Sequence, residues 1–318
     1  MFQIEIIEFF QSFDSAALKA FMSFISVLGT IPVILLIILG ITFAIDFKRG
    51  LVLVNIISWT TIFTFFIKEQ VNYPRPIEVD PSIETVYFES GKENLSDLLP
   101  KEFFDIFSEE LLSETNITDF ERLGFPSGHV SIQMALWIAL SFLFKRKWIR
   151  NTGIVMVLLT ALSRIYLGHH FLADVIGGAI LGAVVSSLLL YLIKKSGYLT
   201  ELSHQAFSLS FLWLPLILVP FAFHLPLWIL GSQIGLNLAA TMIILKKNFP
   251  VFHILTWKRM LAALISIVLI SFVVLMSKQI ENIQNDFLTL FIIILVNFGI
   301  ILGSILLNNK LHLIRFRF

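Results

Sequence analysis

The 318-residue chain has no cysteine. That excludes disulfides, thiolate nucleophiles and cysteine-ligated metals. Charge is scarce too: Asp, Glu, Lys and Arg make up 14% of residues, against about 25% in soluble domains. With 23 basic and 22 acidic residues the formal net charge is +1, so there is no bulk charge to recruit polyanions, and nucleic acid is excluded as a partner. What is present is apolar: 57% of residues are hydrophobic and the mean hydropathy is +0.88. A soluble enzyme and a disordered regulator are therefore excluded as readings of the whole chain.

Apolar runs near the 20 residues needed to cross a bilayer recur along the chain. They predict an all-α, polytopic integral membrane protein with about nine transmembrane helices. The expected spans are 25–45, 50–70, 129–144, 153–170, 172–193, 206–224, 226–245, 259–277 and 286–307. Residues 1–24 read instead as an interfacial amphipathic helix, because Glu5, Glu8 and Asp14 interrupt an apolar face of Phe2, Ile6, Phe9, Phe10 and Phe13. Three regions follow: 1–24, a membrane core over 25–196 with a long loop at 71–128, and a four-helix region over 197–318.

Basic residues set the orientation. Of the 23, 15 fall after the first, third, fifth and seventh spans or at the C-terminus, from Lys48 and Arg49 to Arg315 and Arg317. That side is expected to be cytoplasmic, with the N-terminus outside and the C-terminus inside. The loop 71–128 then lies outside. Its segment 69–125 holds 14 acids and 4 bases, and Leu98 to Leu112 reads as a short amphipathic helix.

Three polar clusters fall at the outer ends of spans two to five: Lys68 with Arg75-Pro76, Pro126-Ser127-Gly128-His129, and Ser163-Arg164 with His170 and Asp174. Singly, each has a structural explanation. Lys68 can snorkel, Ser127 can cap a helix, Asp174 can do the same, and Arg75 can be an ordinary loop cation. Together they suit a phosphate. Lys68, Arg75 and Arg164 can surround a dianion, and arginine's planar fork matches its oxygens. Ser127, Gly128 and His129 open a helix whose amides attract anions. Two histidines match the two roles of covalent hydrolysis, nucleophile and proton donor. His170 and Asp174, four apart, share a helix face, so the carboxylate can fix the imidazole. Arg164 and His170, six apart, do not, and Gly168 predicts a turn between them. His169 reads as a surface histidine.

K-x6-RP, PSGH and SR-x5-H-x3-D, complete and in order over residues 25–195, resemble the signature of the type 2 phosphatidic acid phosphatases. The resemblance implies a metal-independent phosphatase with no cofactor. It implies His170 as the nucleophile that forms a phosphohistidine, Asp174 as its orienting partner, and His129 as the acid that protonates the leaving oxygen and then activates water. Lys68, Arg75, Ser127, Gly128 and Arg164 would bind the phosphoryl group. The expected partner is a lipid phosphate or polyprenyl diphosphate, met among membrane lipids at the extracytoplasmic or luminal face. The layout also resembles the glucose-6-phosphatase branch, so a sugar phosphate stays open. So do phosphotransfer to a lipid acceptor and a non-catalytic transporter on the same scaffold.

Overall fold

The computed structural model describes residues 2–85, 94–115, 117, 119–197, 213, 217, 226–245, 249–252, 255–280 and 285–317. Twelve α-helices occur among them. They are α1 (Ile4–Gln11), α2 (Ala16–Leu28), α3 (Ile31–Ala44), α4 (Phe47–Val71), α5 (Pro76–Val79), α6 (Glu109–Thr115), α7 (Gly128–Phe144), α8 (Lys147–Tyr166), α9 (Leu172–Lys195), α10 (Leu227–Leu245), α11 (Thr256–Ile280) and α12 (Asp286–Lys310). One two-stranded antiparallel ribbon, β1 (Phe249–Phe252) with β2 (Ile314–Arg317), was not expected. The protein is an all-helical, polytopic membrane protein.

Among the described residues five helices are long and apolar enough to cross a bilayer: α4, α9, α10, the Thr256–Val273 part of α11, and α12. A sixth span forms if α2 and α3, separated by Gly29 and Thr30, count as one. The expected count of nine is higher for three reasons. Span 206–224 lies almost wholly outside the described residues. The helix expected at 129–144 is α7, apolar but only 17 residues long. The helix expected at 153–170 is α8, which begins earlier at Lys147 and takes in Arg150 and Arg164.

The chain forms two compact units. The first comprises residues 1–30 and 63–187. Residues 1–24, expected as one interfacial helix, are the short α1 and most of α2. Ser15 Oγ accepts from Leu18 N–H and starts α2. The amphipathic reading holds for α1, but its apolar face meets protein. Ile4 and Ile7 are buried with Val79, Ile83, Leu111, Val130, Ile165 and Phe171, while Glu5 and Glu8 stay exposed. Phe2, Tyr73, Phe107 and Phe171 form an aromatic cluster with ring centroids 4.4–5.8 Å apart. The cluster ties Phe2 to the 71–128 loop and to the turn before α9. Within the loop, the helix expected from Leu98 starts only at Glu109. Pro100 disfavours a helical residue before it, and Ser108 Oγ accepts from Leu111 N–H to start α6.

The second unit comprises residues 31–62 and 188–318. In it α12 packs along α10 and α11, and α11 packs on α3. Its apolar core includes Leu39, Phe43, Phe47, Ala239, Ile243, Ala262, Ile301 and Ile305. The polar side chains buried here are mostly neutral hydroxyls and amides satisfied along their own helices. Thr42 Oγ1 donates to Ile38 O at 2.6 Å and Asn297 Nδ2 to Ile293 O at 2.9 Å.

Candidate active site

All eight residues singled out in the sequence lie in the first unit. α8 delivers Arg164 and then stops in a Schellman turn. His169 N–H bonds to Arg164 O at 3.0 Å and Gly168 N–H to Ile165 O at 2.9 Å, with Gly168 at φ 66°. The turn anticipated at Gly168 is therefore there, and glycine's tolerance of the left-handed region makes it possible. A Cβ at this position would also lie 2.6 Å from Ile83 Cγ2. The turn reverses the chain so that His170 precedes α9 while Arg164 ends α8. Asp174, in the first turn of α9, accepts Phe171 N–H at 2.9 Å through Oδ2. The same oxygen lies 3.3 Å from His170 Nδ1. One carboxylate oxygen thus both caps the start of α9 and lies against the His170 ring. Asp174 Oδ1 has no hydrogen-bond partner among the described residues.

His170 is 2% exposed and His169 1%. The expectation of a surface His169 is corrected: the Schellman turn folds that ring inward with its neighbour. Burial comes first in depressing the basicity of His170 below the ordinary histidine range, and the cations Arg75, Arg164 and Lys68 add to it. His170 is therefore neutral at pH 7. With Nδ1–H donated to Asp174, its Nε2 carries a free lone pair. The same three cations are near enough to His129 to act on it electrostatically.

The phosphate-binding candidates reach the site from separate elements. Ser127 precedes α7, and its N–H bonds to Asp174 O at 2.9 Å. Its Oγ is buried, caps nothing, and has no hydrogen-bond partner among the described residues. Gly178 and Gly182 on α9 let α9 approach this end of α7. A Cβ on either would strike the carbonyl oxygens of Ser127 or Ser131. Lys68 is buried near the end of α4 and does not snorkel; its Nζ donates to Leu123 O, and to Gly124 O at 3.3 Å. Arg75 is 9% exposed, and burial pushes its pKa down to about 10, so it stays charged at neutral pH. The arms of the 71–128 loop, with Lys68 and Arg75 at one end and PSGH at the other, are zipped together. Pro74 bridges Leu123, Gly124 N–H bonds to Tyr73 O at 2.7 Å, and Arg122 pairs with buried Glu78 at 3.1 Å.

Three contributors from the N-terminal helices went unread in the sequence. Arg164 Nη1 donates to buried Ser26 Oγ of α2 at 2.6 Å. Gly29, just after α2, lies against the ring of His129, where a Cβ would be 3.2 Å from Cδ2. Gln11 Nε2 donates to Tyr166 O at 3.1 Å and Glu84 O at 2.9 Å, bracing the end of α8. One signal was available: Ser23 and Ser26 sit three apart in an otherwise apolar run, and polar groups in such runs face a protein interior. Among the described residues no group of three or more histidine or carboxylate side chains is arranged to hold a metal ion.

Residues 49–198 match the PAP2 superfamily. This segment belongs to the PAP2 superfamily. It covers Lys68 through Asp174, every signature position. Among curated relatives, a lipid A 4'-phosphatase of Bacteroides thetaiotaomicron is 32% identical over 72 residues, which is 23% of this chain and 32% of that protein. An undecaprenyl-diphosphatase of Sulfolobus acidocaldarius is 34% identical over 106 residues, 33% of this chain and 48% of that protein. The chain thus spans from about a third to about half the length of these relatives. A crystal structure of a transmembrane PAP2-type phosphatidylglycerolphosphate phosphatase from Bacillus subtilis is similar over 60% of this chain and 84% of its own. Its TM-score is 0.45 and its identity 22%.

Proposed function

We propose that this chain is a metal-independent phosphatase that hydrolyses the phosphomonoester or diphosphate of a lipid, phosphatidate-like or polyprenyl, through a phosphohistidine. The observation that carries the reading is the buried His170–Asp174 contact, set among three cations at the opening of α7. Neutral His170 attacks phosphorus through Nε2 while Asp174 holds the imidazolium that develops. The P–O bond to the lipid breaks, and His129, protonated once the phosphate dianion binds beside it, gives that proton to the departing oxygen. His129 then takes a proton from water, which attacks the phosphohistidine and releases inorganic phosphate. Lys68, Arg75, Arg164, Ser127 Oγ and the Gly128 amide stabilise the charge on the non-bridging oxygens. No cofactor enters either step.

Two observations support a lipid substrate. The relatives above are named for lipid phosphates, and the site belongs to a chain of membrane-spanning helices, where a lipid already concentrates its headgroup. The bias of basic residues supports a nine-span topology with the N-terminus outside, the C-terminus cytoplasmic and the site extracytoplasmic.

The test is phosphate release by the purified protein with chelator present. The substrates are phosphatidic acid, phosphatidylglycerol phosphate, a polyprenyl diphosphate and glucose 6-phosphate. Release from a lipid, lost in His170→Ala, is expected. Preference for glucose 6-phosphate overturns the lipid assignment, and turnover by His170→Ala overturns the mechanism.

A further inference from the structure

The second unit holds a half-open cavity of about 140 Å³ that the chemistry above does not use. It lies among α3, the 47–61 stretch of α4, α10, α11 and α12. Leu35, Leu39, Ile57 and Ile301 are among its apolar walls. One wall residue is unlike them. Gln233 is 1% exposed, and its Oε1 has no hydrogen-bond partner among the described residues. The amide cannot simply flip to cure this. Its Nε2 donates to Asn55 Oδ1 at 2.6 Å, and Asn55 Nδ2 is itself committed to Leu51 O at 2.9 Å. A flipped Gln233 would set two carbonyl oxygens against each other. Beside it, Ser232 Oγ is buried and also without a partner among the described residues.

A buried acceptor left unsatisfied costs about 1–3 kcal/mol. The occupant must therefore bring a donor. Water fits poorly. The volume would take about five molecules at liquid density, each wanting about three hydrogen bonds. The polar wall groups are few, and Thr42, Thr61 and Asn297 already donate to carbonyls of their own helices. An apolar chain alone fills the volume but leaves Gln233 Oε1 bare. A chain that ends in a hydroxyl satisfies both demands, and the surrounding bilayer is where such molecules partition.

We propose that this cavity is a binding site for a lipid alcohol, whose hydroxyl donates to Gln233 Oε1 and accepts from Ser232 Oγ while its chain lies along α3 and α4. Two sources supply that chemistry: a resident membrane alcohol, or the alcohol that hydrolysis of a lipid phosphate releases. The site does not depend on the phosphatase reading.

The experiment uses the full chain in detergent and a long-chain alcohol carrying a diazirine, with its methyl ether as the donor-free control. Photolabel should map to peptides of 31–61 and 227–236, with the alcohol exceeding the ether by roughly three- to tenfold, the range one net hydrogen bond gives. Gln233→Leu should erase that preference while keeping total labelling, which also shows that the variant folds. Ser232→Phe, which fills the cavity, should lose labelling by both probes. Equal labelling by alcohol and ether, label confined to other helices, or a preference that survives Gln233→Leu would each overturn the proposal. Labelling of His170→Ala at the wild-type level is expected, so failure of the phosphatase reading is distinguishable from failure of this one. If incubation with phosphatidic acid blocks labelling of wild type but not of His170→Ala, the source is the reaction product. No block in either points to the resident pool, and equal block in both, which shows phosphatidic acid itself competing, overturns the preference for an alcohol.

Discussion

The two units bury different kinds of polarity. In the first, the buried groups include Lys68, Arg75, Glu78, Asp80, Arg164, His169, His170 and Asp174. In the second, every buried polar side chain among the described residues is a neutral hydroxyl or amide, such as Asn55, Gln233, Asn237, Ser266, Asn297 and Asn308. Taking an ion out of water costs several kcal/mol even after relaxation. A hydroxyl or amide that bonds a carbonyl of its own helix costs little. Charges are thus kept where they face other charges and, on the reading above, a phosphate. Neutral groups are kept where helices need only be joined.

The sharpest way to break this contrast is His170→Ala. Turnover should fall by roughly 10⁴-fold or more, as for loss of a covalent nucleophile; phosphate release kinetics read it, and a modest loss would sink the role. Next comes Ser26→Ala. The hydroxyl that receives Arg164 should matter for rate, lowering kcat/KM by about tenfold. Against an Arg164→Ala background the same change should do almost nothing, so an additive double-mutant cycle would separate Ser26 from the site. The second unit should respond in the opposite currency. Asn308 Nδ2 donates to Ser266 Oγ and to Ser304 O, each at 2.9 Å. Asn308→Ala should destabilise by about 1–3 kcal/mol with kcat unchanged, read from the thermal midpoint in detergent beside an activity assay. If kcat falls with it, the division of labour fails.

A pH profile sharpens the same point. An ordinary histidine, with a pKa near 6.5, would lose roughly two-thirds of its neutral form between pH 7 and 6. His170 has its pKa lowered by burial, so its protonation is deferred to lower pH and the neutral nucleophile persists. kcat/KM should fall by less than about threefold over that interval. The smallest effect is Lys19→Ala. Its 2.8 Å pair with Glu84 is exposed on both sides, so neither stability nor rate should move measurably.

The site is largely legible in the amino-acid order, and the architecture less so. Lys68, Arg75, Ser127, Gly128, Arg164, His170 and Asp174 stand at the signature's spacings, and Gly168 marks its turn, because left-handed backbone and, on the phosphatase reading, phosphate chemistry restrict residue type sharply. Span counting is less secure. α7 is short and α8 carries charges, so hydropathy alone does not separate a crossing helix from a buried one. His169 reads wrongly because a Schellman turn decides which of two adjacent histidines faces inward, and adjacent letters do not encode that. Ser26, Gly29 and Gln11 stay silent because their partners lie across the fold: a small residue beside a distant ring has no local pattern.

The bond between Ser26 and Arg164 spans 138 positions. At about 5–20 residues per second of synthesis, α2 leaves the ribosome roughly 7–28 s before the arginine it holds exists. During that interval its serine has no guanidinium to receive. Of the two partners α2 is the older, and Arg164 is steadied only when the chain made after it folds back onto that helix.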